Sequence, residues 1–248
     1  MTLREERAKL GVLKPPASPE ELLERAGAFA GSTLGALAAR SALPVPEDLR
    51  RAKGWVGGLF ELSLGATAKS RAVPDFEALG IELKTLPVRL DGQPLETTFV
   101  CTIPLLDMAR VEWEQSGVFR KLRRVLWVPV EGTRSTPVAN RRIGTPLLWS
   151  PSPEEDADLR FDWEELAGMI GRGRVEDLTG HLGRYLQVRP KARDSHARRR
   201  ATGMDGAGIT ALPRGFYLRT SFTARILKRF FVLPVKPPPA ELVPESPR

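Results

Sequence analysis

Apolar residues fall at helical spacing in some stretches of the chain and alternate with polar ones in others, and the two textures segregate. Ser18-Pro19-Glu20-Glu21 has the form of a capping box with proline at the first helical position. Behind it Leu22, Leu23, Ala26, Phe29 and Ala30 share one helical face, and Gly31 supplies a stop. Residues 33–40 predict a second short helix. Lys53-Gly54-Trp55 opens a third, carrying Val56, Leu59, Phe60, Leu62 and Leu64 with Glu61 set among them. Strand texture follows from 73 to 131. Ile81, Leu83 and Thr85 alternate with Glu82 and Lys84, and the runs 97–103 and 125–130 are further strands. Pro129 in the last of these points to an edge strand or a strand end.

Ser152-Pro153-Glu154-Glu155 repeats the capping-box device and starts a long helix that buries Leu159, Trp163, Leu166 and Ile170 and ends at Gly171. Residues 185–189 and 215–219 predict short strands flanking a basic loop, and Thr220-Ser221 caps a last helix with Phe222, Ile226 and Phe230 on one face. Residues 1–17 read as a flexible lead-in and 234–248 as a proline-rich tail. The pattern predicts a mixed α/β protein in which helices flank a partly antiparallel sheet.

Composition narrows the function classes. The 248 residues include 38 Lys+Arg against 30 Asp+Glu, a net charge of +8, and the isoelectric point is near 10.0. Such a balance favours polyanionic partners, nucleic acid first, although a merely soluble basic protein has the same signature. One cysteine, Cys101, rules out a disulfide framework and any multi-cysteine metal site. His181 and His196 lack the spacing of a helical zinc motif. No apolar run approaches the length of a bilayer crossing and the N-terminus lacks a secretory signal, so a cytoplasmic protein is expected.

The most informative segment is Val73-Pro74-Asp75-Phe76-Glu77-Ala78-Leu79-Gly80-Ile81-Glu82-Leu83-Lys84-Thr85. On a strand Glu82 and Lys84 point together while Ile81 and Leu83 enter the core, and Gly80 can turn the backbone so that Asp75 approaches Glu82. Two carboxylates with a backbone carbonyl between them make a hard oxygen site suited to Mg²⁺. A neighbouring lysine can orient or help deprotonate an attacking water. The competing reading of the triplet is a surface strand with a weak ion pair. Glu61 either supports the site or sits on the polar face of its helix. Strand alternation puts Lys121 and Arg123 on one side, facing phosphate or simply guarding a sheet edge. Arg189-Pro190-Lys191 and Arg198-Arg199-Arg200 form the densest positive stretch, suited to phosphate and base-edge contact or else to a solvated loop. Tyr217 faces opposite to Phe216 and Leu218.

Taken in order, several blocks resemble the MutH-type DNA mismatch repair endonucleases: Lys53-Gly54-Trp55-Val56-Gly57, Leu79–Thr85, Pro94–Cys101, Arg124–Gly132, Pro146–Pro151, Tyr185–Ala192 and Leu212–Leu218. The resemblance covers roughly residues 20–233. It implies a restriction-endonuclease-like fold, a mixed β-sheet flanked by helices, with two arms (about 18–150 and 151–233) forming a DNA cleft. It implies Mg²⁺-dependent nicking of the unmethylated strand at hemimethylated GATC sites, by a monomer activated by the MutL ATPase, itself recruited by MutS. Asp75, Glu82 and the Leu83 carbonyl would hold metal. Lys84 would serve the attacking water, with Glu61 in support and Lys121 near the scissile phosphate. Lys53, Phe99, Arg189, Pro190 and Lys191 would contact DNA and read the site, and Tyr217 would sense adenine methylation. A GATC-specific restriction enzyme making double-strand cuts is the alternative within the same fold. Arg123 departs from the family pattern, and residues 193–210 carry extra arginines.

Overall fold

In the computed structural model the described residues are 13–68, 73–192, 194 and 196–231; the tail expected at 234–248 and most of the lead-in lie outside them. The helices in chain order are α1 (Pro19–Gly27), α2 (Leu34–Arg40), α3 (Trp55–Leu64), α4 (Gly117–Leu122), α5 (Pro153–Gly171) and α6 (Thr220–Phe230). The strands are β1 (Glu82–Val88), β2 (Thr98–Thr102), β3 (Val125–Glu131), β4 (Leu147–Trp149), β5 (Leu186–Pro190), β6 (Arg199–Thr202), β7 (Gly208–Ala211) and β8 (Arg214–Leu218).

β3 is the wall of the molecule. It lies between β1, which it pairs in parallel, and β4, which it pairs antiparallel. Its uninterrupted apolar run is explained by burial on both faces. Leu126, Val128 and Val130 enter a core built with α1, α2 and α3, including Leu22, Leu37, Leu59 and Phe60. Val125 and Trp127 enter a second core with α5, α6 and the antiparallel sheet β2-β8-β5. β2, from the first of the two expected arms, therefore hydrogen-bonds to β8 in the second. A small hairpin, β6-β7, docks on the second core through Ala201 and Ala211.

Several expectations are corrected. Pro129 is in a central strand, not an edge. Its missing N–H falls beyond the β4 ladder, which stops at Trp127↔Leu147, and its carbonyl accepts from the Gly144 N–H at 2.8 Å. The Ser152–Glu155 box is complete, whereas the Glu21 carboxylate takes the Ala17 N–H rather than that of Ser18. α1 ends at Gly27 and not at Gly31, and Leu23 and Ala30 are exposed because the buried stripe runs through Leu22 and Ala26. α6 starts without a side-chain cap, and it buries Leu227 where Phe230 was expected. The basic loop between β5 and β8 contains the ordered β6-β7 hairpin.

Candidate active site and reader face

The turn before β1 sets the site. Phe76 and Ile81 form an isolated antiparallel bridge around a single 3-10 turn, Glu77–Leu79, and Gly80 closes it at φ 64°, a left-handed conformation that a side chain would strain. This fold-back carries Asp75 to the start of β1, where its carboxylate accepts the Leu83 N–H at 2.8 Å. Glu82 and Lys84 share a face of β1, as alternation requires, and that face is closed off: Glu82 is only 4% exposed. The parallel register Glu82↔Val125 brings the end of α4 alongside. Lys121, in the last turn of α4, donates to Glu82 Oε2 at 2.7 Å and to the Val73 carbonyl at 2.6 Å, while Lys84 donates to Glu82 Oε1 at 2.8 Å. One carboxylate thus holds two ammoniums, and the second carboxylate stands beside it.

The electrostatics follow from that crowding. Asp75 is pushed up from 3.8 to about 6, first by burial and then by the negative charge of Glu82, against the pull of the Leu83 N–H, Lys121 and Lys84. Burial likewise pushes the Cys101 thiol up to about 12, against the pull of Lys84 and Lys121. Among the described residues no group of three or more His, Cys, Asp or Glu side chains is gathered. A cation here would have two carboxylates and otherwise backbone or water oxygen. That donor set fits a hard divalent ion that keeps several waters, and a site whose carboxylates repel one another gains from its charge.

Next to this cluster lies the solvent-facing side of the sheet β2-β8-β5. Phe99 and Tyr217 are register partners, their rings 5.3 Å apart edge to face. Lys84 Nζ lies 6.0 Å from the Phe99 ring centre and Lys191 Nζ 4.2 Å from it. Arg189 lies 5.9 Å from the Tyr217 ring and donates to Thr97 Oγ1 at 2.9 Å. Pro190 is exposed and pairs with Arg214 at the end of β5. Burial raises the Tyr217 phenol above its ordinary value, opposed by Arg189. Phe99 therefore joins the carboxylate–lysine cluster to the face that carries Tyr217, Arg189 and Lys191. Lys53 is exposed at the start of α3, in the wall of a separate wide cleft. Glu61 is half-buried on α3, which packs on β1.

The strand alternation expected for Lys121 and Arg123 is wrong. The segment is helical, so Lys121 turns into the cluster while Arg123, the capping residue, is exposed. Three positioning residues were missed. Asp162, 2% exposed on α5, accepts the N–H groups of Arg184, Tyr185 and Leu186 at 2.6–2.8 Å and fixes the start of β5. Arg219 donates to the carbonyls of Gly180, Leu182 and Gly183 and ties down the same loop. Gly215 leaves room for Phe99: a β-carbon there would come within 2.8 Å of the ring. Asp162 was discoverable, since a carboxylate between Leu159 and Leu166 interrupts an apolar stripe.

Residues 64–162 match the family described as DNA mismatch repair enzyme MutH. The DNA mismatch repair protein MutH of Escherichia coli strain 536 is 54% identical over 222 residues, which cover 90% of this chain and 97% of that protein. The same protein from Escherichia coli strain SMS-3-5 gives the same figures. The chain belongs to the MutH family. MutH membership and the mixed α/β architecture agree on a restriction-endonuclease-like fold, and no helix among the described residues is long and apolar enough to cross a membrane.

Proposed function

We propose that the chain is a mismatch repair endonuclease that nicks the unmethylated strand at hemimethylated GATC sites, with Mg²⁺ as cofactor and MutL as activator. The observation that carries this reading is the position of the Phe99 ring, its centre 4.2 Å from Lys191 Nζ and 6.0 Å from Lys84 Nζ, so that a base meeting this ring would lie near the amine of the carboxylate cluster. The two arms would hold duplex DNA between them, with Lys53, in the wall of a cleft within the first arm, as a further contact. Family membership supports the repair context; MutS upstream of MutL, action as a monomer and a cytoplasmic location complete the reading.

Asp75, Glu82 and the Leu83 carbonyl would hold the metal, which when bound polarises the phosphate and acidifies water. Asp75 keeps its place through the Leu83 N–H, so the turn at Gly80 preorganises the pair. Glu82, which now accepts from Lys84 and Lys121, would turn its carboxylate to the cation. Lys84 would orient the attacking water and Lys121 would counter charge on the phosphoryl oxygens. Glu61 supports the site from α3. Arg189, Pro190 and Lys191 contact the GATC bases and their phosphates, and Tyr217 meets the adenine whose methylation is sensed.

The test is a nicking assay on unmethylated, hemimethylated and fully methylated GATC duplexes, with and without Mg²⁺ and MutL. Single-strand nicks on the first two, protection of the third and stimulation by MutL are expected. Autonomous double-strand cleavage of unmethylated DNA would instead make the chain a GATC restriction enzyme.

A further inference from the structure

The sequence suggested a solvated basic loop between β5 and β8, and the structure has a docked hairpin there. Its inner face is anchored: Ala201 and Ala211 are buried and Ile209 packs on the second core. Its tip lies against the turn after α5 so closely that a β-carbon on Gly173, at φ 77°, would sit 2.2 Å from the Gly203 carbonyl carbon. The hairpin is thus fixed to the molecule at its middle and its tip.

Its root carries charge without compensation. Arg199 and Arg200 are both exposed, and neither makes a salt bridge to a described residue. The nearby acids are occupied with backbone: Asp194 accepts from His196 and Ala197, and Asp205, at the tip, accepts from Ala207. Arg199 stands opposite Ala211, and two residues on the Pro213 carbonyl accepts the Lys191 N–H at 2.7 Å. The arginines therefore begin where the reader face ends. Adjacent residues on a strand point to opposite sides, so Arg199 and Arg200 straddle the ribbon.

We propose that this arginine pair is a second DNA-backbone contact, gripping phosphates that flank the recognition site. The inference rests on the DNA-cleaving reading above and extends it beyond the residues that reading uses. Two features favour duplex phosphate over other anions: the hairpin's second strand leads directly to Pro213, whose carbonyl accepts the Lys191 N–H, and the pair is carried on a docked ribbon rather than on a loop. A docked strand spares the cost of ordering a loop on binding, and the planar guanidinium loses less freedom per hydrogen bond formed. No base readout is assigned to it. A phosphate contact contributes affinity and salt dependence equally on every sequence.

The experiment compares the wild-type chain with R199Q/R200Q and R199K/R200K. Binding of a GATC duplex and a scrambled duplex is titrated between 50 and 300 mM salt with Ca²⁺ in place of Mg²⁺. For R199Q/R200Q the slope of log affinity against log salt should shrink by about 0.9 per arginine. Affinity near 0.1 M salt should fall by roughly five- to tenfold per arginine, in the same proportion on both duplexes. The lysine variant should recover the slope. An unchanged slope, or a loss confined to the GATC duplex, overturns the proposal. Both side chains are exposed, so melting temperatures should match; a variant that melts early is judged by the lysine pair, whose failure to restore the slope also overturns it. Absence of salt-dependent DNA binding by the wild-type chain would sink the DNA-cleaving reading itself, an outcome distinct from failure of the hairpin alone.

Discussion

The carboxylate–lysine cluster and the face that carries Tyr217 adjoin one another and are built on opposite electrostatic plans. In the cluster each charge has a partner: Glu82 takes Lys84 and Lys121, and Asp75 takes a backbone N–H. On the adjoining face the cations lie near aromatic rings, Lys191 at 4.2 Å from Phe99 and Arg189 at 5.9 Å from Tyr217, with no carboxylate among the described residues salt-bridged to either. The first arrangement holds geometry before a substrate arrives. The second leaves positive charge available to an anion, because a ring face attracts a cation only weakly. Preparation for chemistry and readiness for binding thus occupy separate surfaces with a shared border.

The sharpest way to break the contrast is at Glu82. Glu82→Ala strands two lysines that are 12% and 16% exposed, and it removes a carboxylate proposed to hold metal. Nicking should fall by roughly a thousandfold or more while duplex binding survives; unchanged nicking would remove the assigned centre. Asp162→Ala attacks the other region from beneath. It leaves three N–H groups of the 184–186 segment without their acceptor and should cost roughly 3 kcal/mol in a urea or thermal melt.

Asp75 separates stability from activity. Its pKa is raised to about 6, so the folded chain holds that proton more tightly than the unfolded one, and ionisation erodes stability as pH rises from about 4 through 6. Asp75→Asn should abolish nicking. With chelator present it should also raise stability at pH 8 by about 2 kcal/mol, allowing for partial exposure, with little change at pH 3.5. A lower melting temperature at pH 8 would refute the repulsion. Tyr217→Ala should narrow the rate difference between unmethylated and hemimethylated duplexes, by roughly tenfold at most; an unaltered ratio would take Tyr217 out of methyl sensing. Arg123→Ala should change nicking less than about twofold, since its side chain is in solvent. A large loss there would restore the paired reading with Lys121.

Much of this was legible because local rules govern it. Alternation paired Glu82 with Lys84, the glycine at 80 marked the fold-back that delivers Asp75, and alternation also turned Tyr217 away from Phe216 and Leu218. What the pattern could not carry was the second dimension of the sheets. Nothing local says that β3 is central, so Pro129 was misjudged, and nothing local joins residue 121 to residue 82 across 39 positions. Arg123 was misassigned because a six-residue helix too short to declare its period precedes the strand. The hairpin at 199–211 hid behind its arginines, which read as loop until Ala201 and Ala211 are seen in the core.

Phe99 sits at an irregularity in β2, where the register with β8 slips between Phe99 and Cys101. That bulge aims one ring at Lys84, Lys191 and Tyr217 together. Under the proposed function, a duplex seated out of step would push on this ring and so disturb the amine assigned to the attacking water. Fidelity and turnover would then share one ring, so that a substitution at position 99 would alter both.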